Sequence, residues 1–334
     1  MIEPRFIQLR ANVQKAAMTI EHAVAQTKPK PWGSFDLRPW TTASTDGVAI
    51  GEVWYERRVA ATPETALLLK LLFTTEPLSI QVHPDDAFAQ SIGLPNGKTE
   101  VWYILSATPD AKVAIGLKHS LSPQELQASI ADGSIADLVQ WRPVRKDDVV
   151  FVPAGTIHAI GAGIVLAEIQ QRSDATFRLF DYGRQRELHA ESAVAVAHAG
   201  IAQHQPSPQK LTEARTTLIV SPHFVLEKIE LLPNSSWMLK ADRETWILVL
   251  RGDARIGLTH AVLGDAIFVD AERAGIEVGT DGMTGLLAYL GPDSDPGLLA
   301  HTAGANATSH VSSMASIQSM TAGPVRSKEQ EART

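Results

Sequence analysis

Between residues 48 and 290 most apolar side chains come in short runs broken by Pro, Gly, Asp and Asn, not in long periodic stretches. Runs this short, rich in β-branched residues, suit pleated strands better than helices, so the chain is expected to fold mainly as β-structure. Such runs occupy residues 48–59, 66–74, 101–105, 111–116, 149–153, 164–170 and 176–181. The most informative one is Leu78-Ser79-Ile80-Gln81-Val82-His83, where apolar and polar residues strictly alternate. A strand there buries Leu78, Ile80 and Val82 on one face and presents Ser79, Gln81 and His83 together on the other.

Helical signals interrupt this pattern in three places. Residues 12–26 carry Val13, Ala16, Ala17, Ile20, Ala23 and Val24 at helical spacing, predicting an amphipathic helix before Lys28-Pro29-Lys30-Pro31. Ser122-Pro123 is a helix start, with Ser at the N-cap and Pro at the first helical position, and apolar positions continue through Val139. A third helix is expected over 187–198. The Gln/Pro/Ser-rich stretch from residue 203 reads as a linker, and 218–290 reads as a second all-β unit. Asp148-Val149-Val150-Phe151-Val152 recurs as Asp265-Ala266-Ile267-Phe268-Val269, a faint echo of the kind a duplicated barrel leaves. The last stretch is rich in Ala, Ser, Thr and Gly without periodicity and is expected to be largely disordered.

Composition excludes several function classes. With 334 residues, 44% of them hydrophobic and 20% charged, the chain has ample material for a core. Thirty Lys and Arg against 37 Asp and Glu give a net charge of −7. Nucleic acid and anionic membranes are therefore not expected partners, because both require a cationic surplus, and no obligate protein partner is predicted. The chain contains no cysteine, so disulfides, thiolate metal sites and Cys nucleophiles are absent. No signal-like or membrane-length apolar segment stands out, and a cytoplasmic location is the expectation.

Familiar nucleotide and hydrolase motifs also fail. Gly93-Leu94-Pro95-Asn96-Gly97-Lys98-Thr99 is one residue short of a P-loop, and Gly161-Ala162-Gly163 lacks the third glycine and following helix of a dinucleotide fingerprint. No Gly-x-Ser-x-Gly elbow is present. There remains a set of metal-ligand types on β-like segments: Gln81-x-His83, Glu100 and His158. Two imidazoles and a carboxylate suit a hard or borderline divalent ion with an open position. His158 follows Pro153 and Gly155, which punctuate a turn able to aim a side chain into a barrel mouth.

Four segments carry a resemblance: Pro77-Leu78-Ser79-Ile80-Gln81-Val82-His83-Pro84-Asp85-Asp86; Gly97-Lys98-Thr99-Glu100-Val101-Trp102-Tyr103; Val152-Pro153-Ala154-Gly155-Thr156-Ile157-His158-Ala159-Ile160-Gly161; and Ala167-Glu168-Ile169-Gln170-Gln171-Arg172-Ser173-Asp174-Ala175-Thr176-Phe177-Arg178, which runs into Asp181-Tyr182-Gly183-Arg184. Together they resemble type I mannose-6-phosphate isomerases, zinc-dependent enzymes of the cupin superfamily, over roughly residues 31–200. The resemblance implies two cupin-like β-barrels of jelly-roll type with flanking helices. The implied division is an N-terminal helix over 1–30 and a catalytic domain over 31–202 with a helical insertion near 118–140. A linker over 203–215, a second, metal-free β domain over 216–293 and a tail over 294–334 complete it. It also implies one Zn2+ on Gln81, His83, Glu100 and His158, an active-site Arg178, a Lys98 beside the glutamate ligand, an acidic Glu168, and a Ser79 at the phosphate end of a phosphorylated hexose. Two departures stand out. Asp147 occupies a position where the cupin pattern usually has Gly, and Arg172 replaces a commonly seen Asn.

Interconverting mannose 6-phosphate and fructose 6-phosphate requires removal of a proton beside a carbonyl, an enediol, and return of the proton to the neighbouring carbon. A divalent cation serves such chemistry as a Lewis acid or by orienting the sugar oxygens, and the sequence leaves both open. Glu168 is the first candidate for acid/base work, with metal-bound water as its rival. Arg178 stays cationic and suits charge stabilisation. Lys98 offers an ammonium to the phosphate. His223 and His260 lack partners at ligand spacing. The rival readings are an Fe(II) cupin oxygenase built on His83, His158 and Glu100, and a non-enzymatic sugar-binding cupin.

Overall fold

A computed structural model describes residues 19–58, 64–202 and 204–302. The apolar runs form strands in three sheets, and the strand pairings are antiparallel. A six-stranded sheet is ordered Val24–Ser34, Ile50–Glu56, Leu67–Thr74, Ile164–Gln171, Glu100–Ala107 and Val149–Val152. Facing it is a five-stranded sheet ordered Phe177–Phe180, Ile80–Val82, His158–Ile160, Lys112–Leu117 and Val139–Pro143. Leu72, Trp102, Ile104 and Leu166 of the first sheet pack against Val113, Ile115 and Ile160 of the second, as the inner faces of a jelly-roll sandwich do. The outer face of the smaller sheet, including Ile80 and Val82, is covered by helical residues such as Leu126, Ile130 and Ala193.

The third sheet has ten strands and belongs to the second β unit, with Thr245–Ile256 and Glu272–Leu290 at its centre. Its Phe224, Trp246, Phe268 and Leu286 share a core with Leu67, Leu69, Leu71 and Phe73 from the back of the six-stranded sheet. Burial from both sides explains why Leu67–Thr74 is an almost continuous apolar run with every residue buried. The echo between 148–152 and 265–269 has a topological counterpart. Val149–Val152, Glu100–Ala107, Ile164–Gln171 and Leu67–Thr74 neighbour one another in the same order as Ala266–Asp270, Thr245–Ile256, Glu272–Leu290 and Phe224–Leu231. The molecule is mainly β and of jelly-roll type, as expected, but its sheets stay open instead of closing into barrels.

Several local expectations need correction. The helix over 12–26 is contradicted where it is described: Thr19–His22 pairs with Ala266–Asp270, and Val24–Ser34 pairs with Ile50–Glu56. Residues 1–18 lie outside the described residues. Non-local pairing overrides the helical spacing, and Pro29 and Pro31 are accommodated because their strand is a sheet edge with its register shifted beside Pro29. Within the linker span, Gln209–Thr212 is a strand paired with Arg215–Val220. Leu299–His301, placed in the tail, pairs with Ser236–Ala241, and 303–334 lie outside the described residues. The helical insertion runs Pro123–Asp132 with a capping box between Ser122 and Glu125, ends at Gly133, and is followed by Ile135–Leu138; Val139 then opens a strand.

Candidate metal centre and active site

Sheet register assembles the site. In the smaller sheet Arg178 lies opposite Gln81, and Gln81 lies opposite His158, so three side chains from distant segments form a row on one face. In the six-stranded sheet Trp54, Lys70, Glu168 and Trp102 form a second row across four strands, and Glu100 stands two residues from Trp102 on the same face. The two rows face each other across the sandwich. Alternation at Ser79, Gln81 and His83 is as the sequence predicts, except that the strand starts at Ile80 and Leu78 turns into the opposite core with Trp32.

Ligand-type atoms of His83, Glu100 and His158 all lie within 4.8 Å of one another, and all three residues are buried. His83 Nε2 is 3.5 Å from Glu100 Oε2, and His158 Nε2 is 3.5 Å from Glu100 Oε1. The backbone fixes both rings: His83 Nδ1 faces the carbonyl of Ala175 at 2.7 Å and His158 Nδ1 faces that of Thr156 at 2.8 Å. A proton on each Nδ1 satisfies those carbonyls and leaves each Nε2 lone pair pointing at the centre. Burial, with Lys98 and His158 adding to it, pushes His83 well below the usual imidazole range, and burial pushes His158 down to about 4. Both rings are therefore neutral near neutral pH, the form in which an imidazole can ligate a metal. Neither buried oxygen of Glu100 has a hydrogen-bond partner, although Lys98 Nζ is 2.9 Å from Oε2. A dry carboxylate whose one close donor is the Lys98 ammonium, with Oε1 left over, has room for a second cation. Gln81 completes the group, its Nε2 3.2 Å from His158 Nε2 and its Oε1 accepting from Ser79 Oγ at 3.1 Å. Its amide must turn over to offer oxygen, the atom that can ligate. Among the described residues no other three such side chains converge. His260 pairs with Asp253 at 3.0 Å and His223 stands 3.9 Å from Asp86, both away from this group.

Gln81 and Lys98, which touch this group, also line a pocket of about 240 Å3 together with Ser79, Glu168 and Arg178. Burial and the Glu100 carboxylate raise the pKa of Glu168, opposed by Lys98 and Lys70. Trp102 Nε1 donates to Glu168 Oε2 at 3.2 Å. Lys98 sits deep, 3.1 Å from His83 Nε2, and although burial disfavours its charge, Glu100 and Glu168 hold its pKa above the usual lysine value. Arg178 makes no ion pair with Asp174 or Asp181. Asp181 is taken by Arg184 and Arg186, and Arg178 Nε is buried without a partner. Arg178 does not share its face with Phe180, because the register shifts between them.

The sequence reading missed Lys30, Glu52, Lys70, Asp174, Arg186 and His189, all of which line the same pocket. Lys70 left a signal: it is the one charge inside the apolar run Leu67–Thr74, and an ammonium there needs partners. The departures are local. Asp147 adopts φ 72° and accepts from Tyr103 Oη at 2.7 Å, and Arg172 is tied to Glu56 and Thr65.

Close backbone approach sets the position of Lys98 and Glu100. Gly97 N–H donates to Asp86 at 2.8 Å, and a Cβ at residue 97 would stand 2.4 Å from the backbone carbon of Asp85. Gly97→Ala is expected to cost about 1–3 kcal/mol of stability through overpacking. Turnover should fall on the order of tenfold or more as Lys98 shifts. Thermal unfolding and steady-state kinetics measure the two effects.

No family model matches the sequence. The chain is 36% identical over 222 residues to the mannose-6-phosphate isomerase of Streptococcus mutans, covering 63% of this chain and 70% of that protein. To mannose-6-phosphate isomerase ManA of Bacillus subtilis it is 33% identical over 228 residues, again covering 63% and 70%. The crystal structure of the Bacillus subtilis mannose 6-phosphate isomerase superposes with a TM-score of 0.70 at 25% identity, over 80% of this chain and 98% of that one. A zinc-bound mannose 6-phosphate isomerase shares the fold at a TM-score of 0.64 and 14% identity, over 81% and 99%.

Proposed function

Because the chain belongs to the mannose-6-phosphate isomerase family, we propose that it interconverts mannose 6-phosphate and fructose 6-phosphate through an enediol, as an enzyme holding one zinc ion per chain. The observation that carries this reading is the convergence of His83, Glu100 and His158 on one point, next to a pocket that Gln81 and Lys98 line together with Lys30, Arg178 and Arg186. The Glu100 carboxylate, with Oε1 lacking a hydrogen-bond donor, and the two oriented Nε2 atoms fit zinc, with Gln81 as the fourth residue beside them. When bound, zinc supplies positive charge beside the reacting sugar oxygens.

The chain's own groups divide between the two ends of the substrate. Ser79 and Arg178 take the phosphate: the hydroxyl donates, and the guanidinium is free of carboxylate partners among the described residues. His189 lies beside them, its Nδ1 accepting from the Arg178 backbone N–H at 3.2 Å. Its proton therefore sits on Nε2, as a further donor. Lys98, deep against Glu100, belongs to the reacting end, where its ammonium stabilises a developing enediolate oxygen. Glu168 takes the proton from C2 and returns it to C1, a role suited to a buried carboxylate whose pKa is raised.

A coupled isomerase assay with parallel metal analysis tests the proposal. Chelation should abolish turnover of mannose 6-phosphate, and added zinc should restore it. Undiminished turnover after complete zinc removal, or oxygen consumption in place of isomerisation, would count against the reading.

A further inference from the structure

Four charges of alternating sign run from the rim of the pocket inward: Lys30, Glu52, Lys70 and Glu168. Lys30 Nζ is 3.2 Å from Glu52 Oε1, Lys70 Nζ is 3.9 Å from Glu52 Oε2, and Lys70 Nζ is 3.4 Å from Glu168 Oε1. The Lys30 side chain is 30% exposed, whereas those of Lys70 and Glu168 are 3% and 4% exposed. An ammonium that dry is tolerated only with carboxylates facing it. Lys70 has two, and they differ in surroundings. Glu168 stands at the reacting end with Lys98 on its far side at 4.0 Å. Glu52 is held from outside, by Lys30 and by the indole N–H of Trp54, which donates to Oε2 at 2.6 Å. The Trp54 ring also lies under Lys70, 4.5 Å from Nζ to the centroid. Lys70 is therefore drawn two ways at once.

We propose that Glu52 is a positioning residue for the isomerisation: it shares the Lys70 ammonium, which stands at 3.4 Å from Glu168 and 3.9 Å from Glu52, and so keeps Lys70 from closing further on Glu168 and shifting that carboxylate from the place proton transfer needs. The inference rests on the isomerase reading above. Removing the Glu52 charge leaves Lys70 with a single carboxylate partner, and a buried ammonium closes on the one that remains. Glu168 then becomes a poorer base, and it moves from its place beside the substrate. Lys98 and Glu100, which also face Glu168, are untouched by the change.

Glu52→Gln keeps the size of the side chain and an acceptor for Trp54 while deleting the charge. We expect kcat to fall about tenfold, with KM for mannose 6-phosphate within about twofold of wild type and zinc content unchanged. Glu52→Asp, which restores the charge, should recover most of the lost kcat. If Glu52→Gln does not fold, Trp54→Phe provides the test: it keeps a ring under Lys70, removes the N–H that fixes Glu52, and should lower kcat two- to threefold. Wild-type kcat in whichever variant folds, a loss confined to KM, or a Glu52→Asp variant no better than Glu52→Gln overturns the inference while leaving the isomerase reading intact. A wild-type protein that does not turn over the sugar phosphate overturns both.

Discussion

Replacing His158 with alanine is expected to remove zinc and turnover together. His158 is fully buried, its Nδ1 anchored on Thr156 and its ring packed edge-on to Trp102 with centroids 5.5 Å apart. Among the described residues no other such group converges there: Glu100 opens a strand of the larger sheet, His158 opens one of the smaller sheet, and His83 directly follows Ile80–Val82. Loss of an outer-sphere partner alone typically weakens metal binding about 10–100-fold, so losing a ligand should exceed that. Metal content measured after gel filtration, together with the coupled assay, reads both quantities. A variant that retains stoichiometric zinc, or that turns over at the wild-type rate, would remove His158 from the ligand set.

Arg178→Ala should behave differently, with kcat/KM falling about 10²- to 10³-fold as the phosphate loses its guanidinium partner while zinc stays bound. The guanidinium makes no ion pair among the described residues, so its loss leaves no buried carboxylate stranded. Stability should change by no more than about 1 kcal/mol. Arg178→Lys restores the charge without the planar fork and should recover only part of the loss. A variant that loses zinc along with activity would show instead that Arg178 holds Gln81 or His158 in place.

How much of this was legible in the sequence follows from what strand geometry can and cannot encode. Period-two alternation is local, so Ser79, Gln81 and His83 announce a shared face within six residues. Glu100 and His158 are legible as ligand types near turn residues. Lys70 and Glu52 acquire meaning only from register: Lys70 lies opposite Glu168 almost a hundred positions later in the chain, and no local pattern specifies that pairing. The helix expected over 12–26 fails in its described part, 19–26, for the same reason. Its apolar spacing fits a helix, yet its partners are Ala266–Asp270 and Ile50–Glu56, and pairing between distant segments outweighs local propensity. Leu78 failed at a strand end, where alternation stops with the ladder.

The six-stranded sheet carries its chemistry on one side and leans the other against the second β unit. That second unit is therefore no idle duplicate. It works as an oily backstop: what Phe224, Trp246, Phe268 and Leu286 supply to the sheet is volume and the exclusion of water. A flaw there would wet the working surface from behind and register as a catalytic defect although the altered residue lies across the sheet from the pocket.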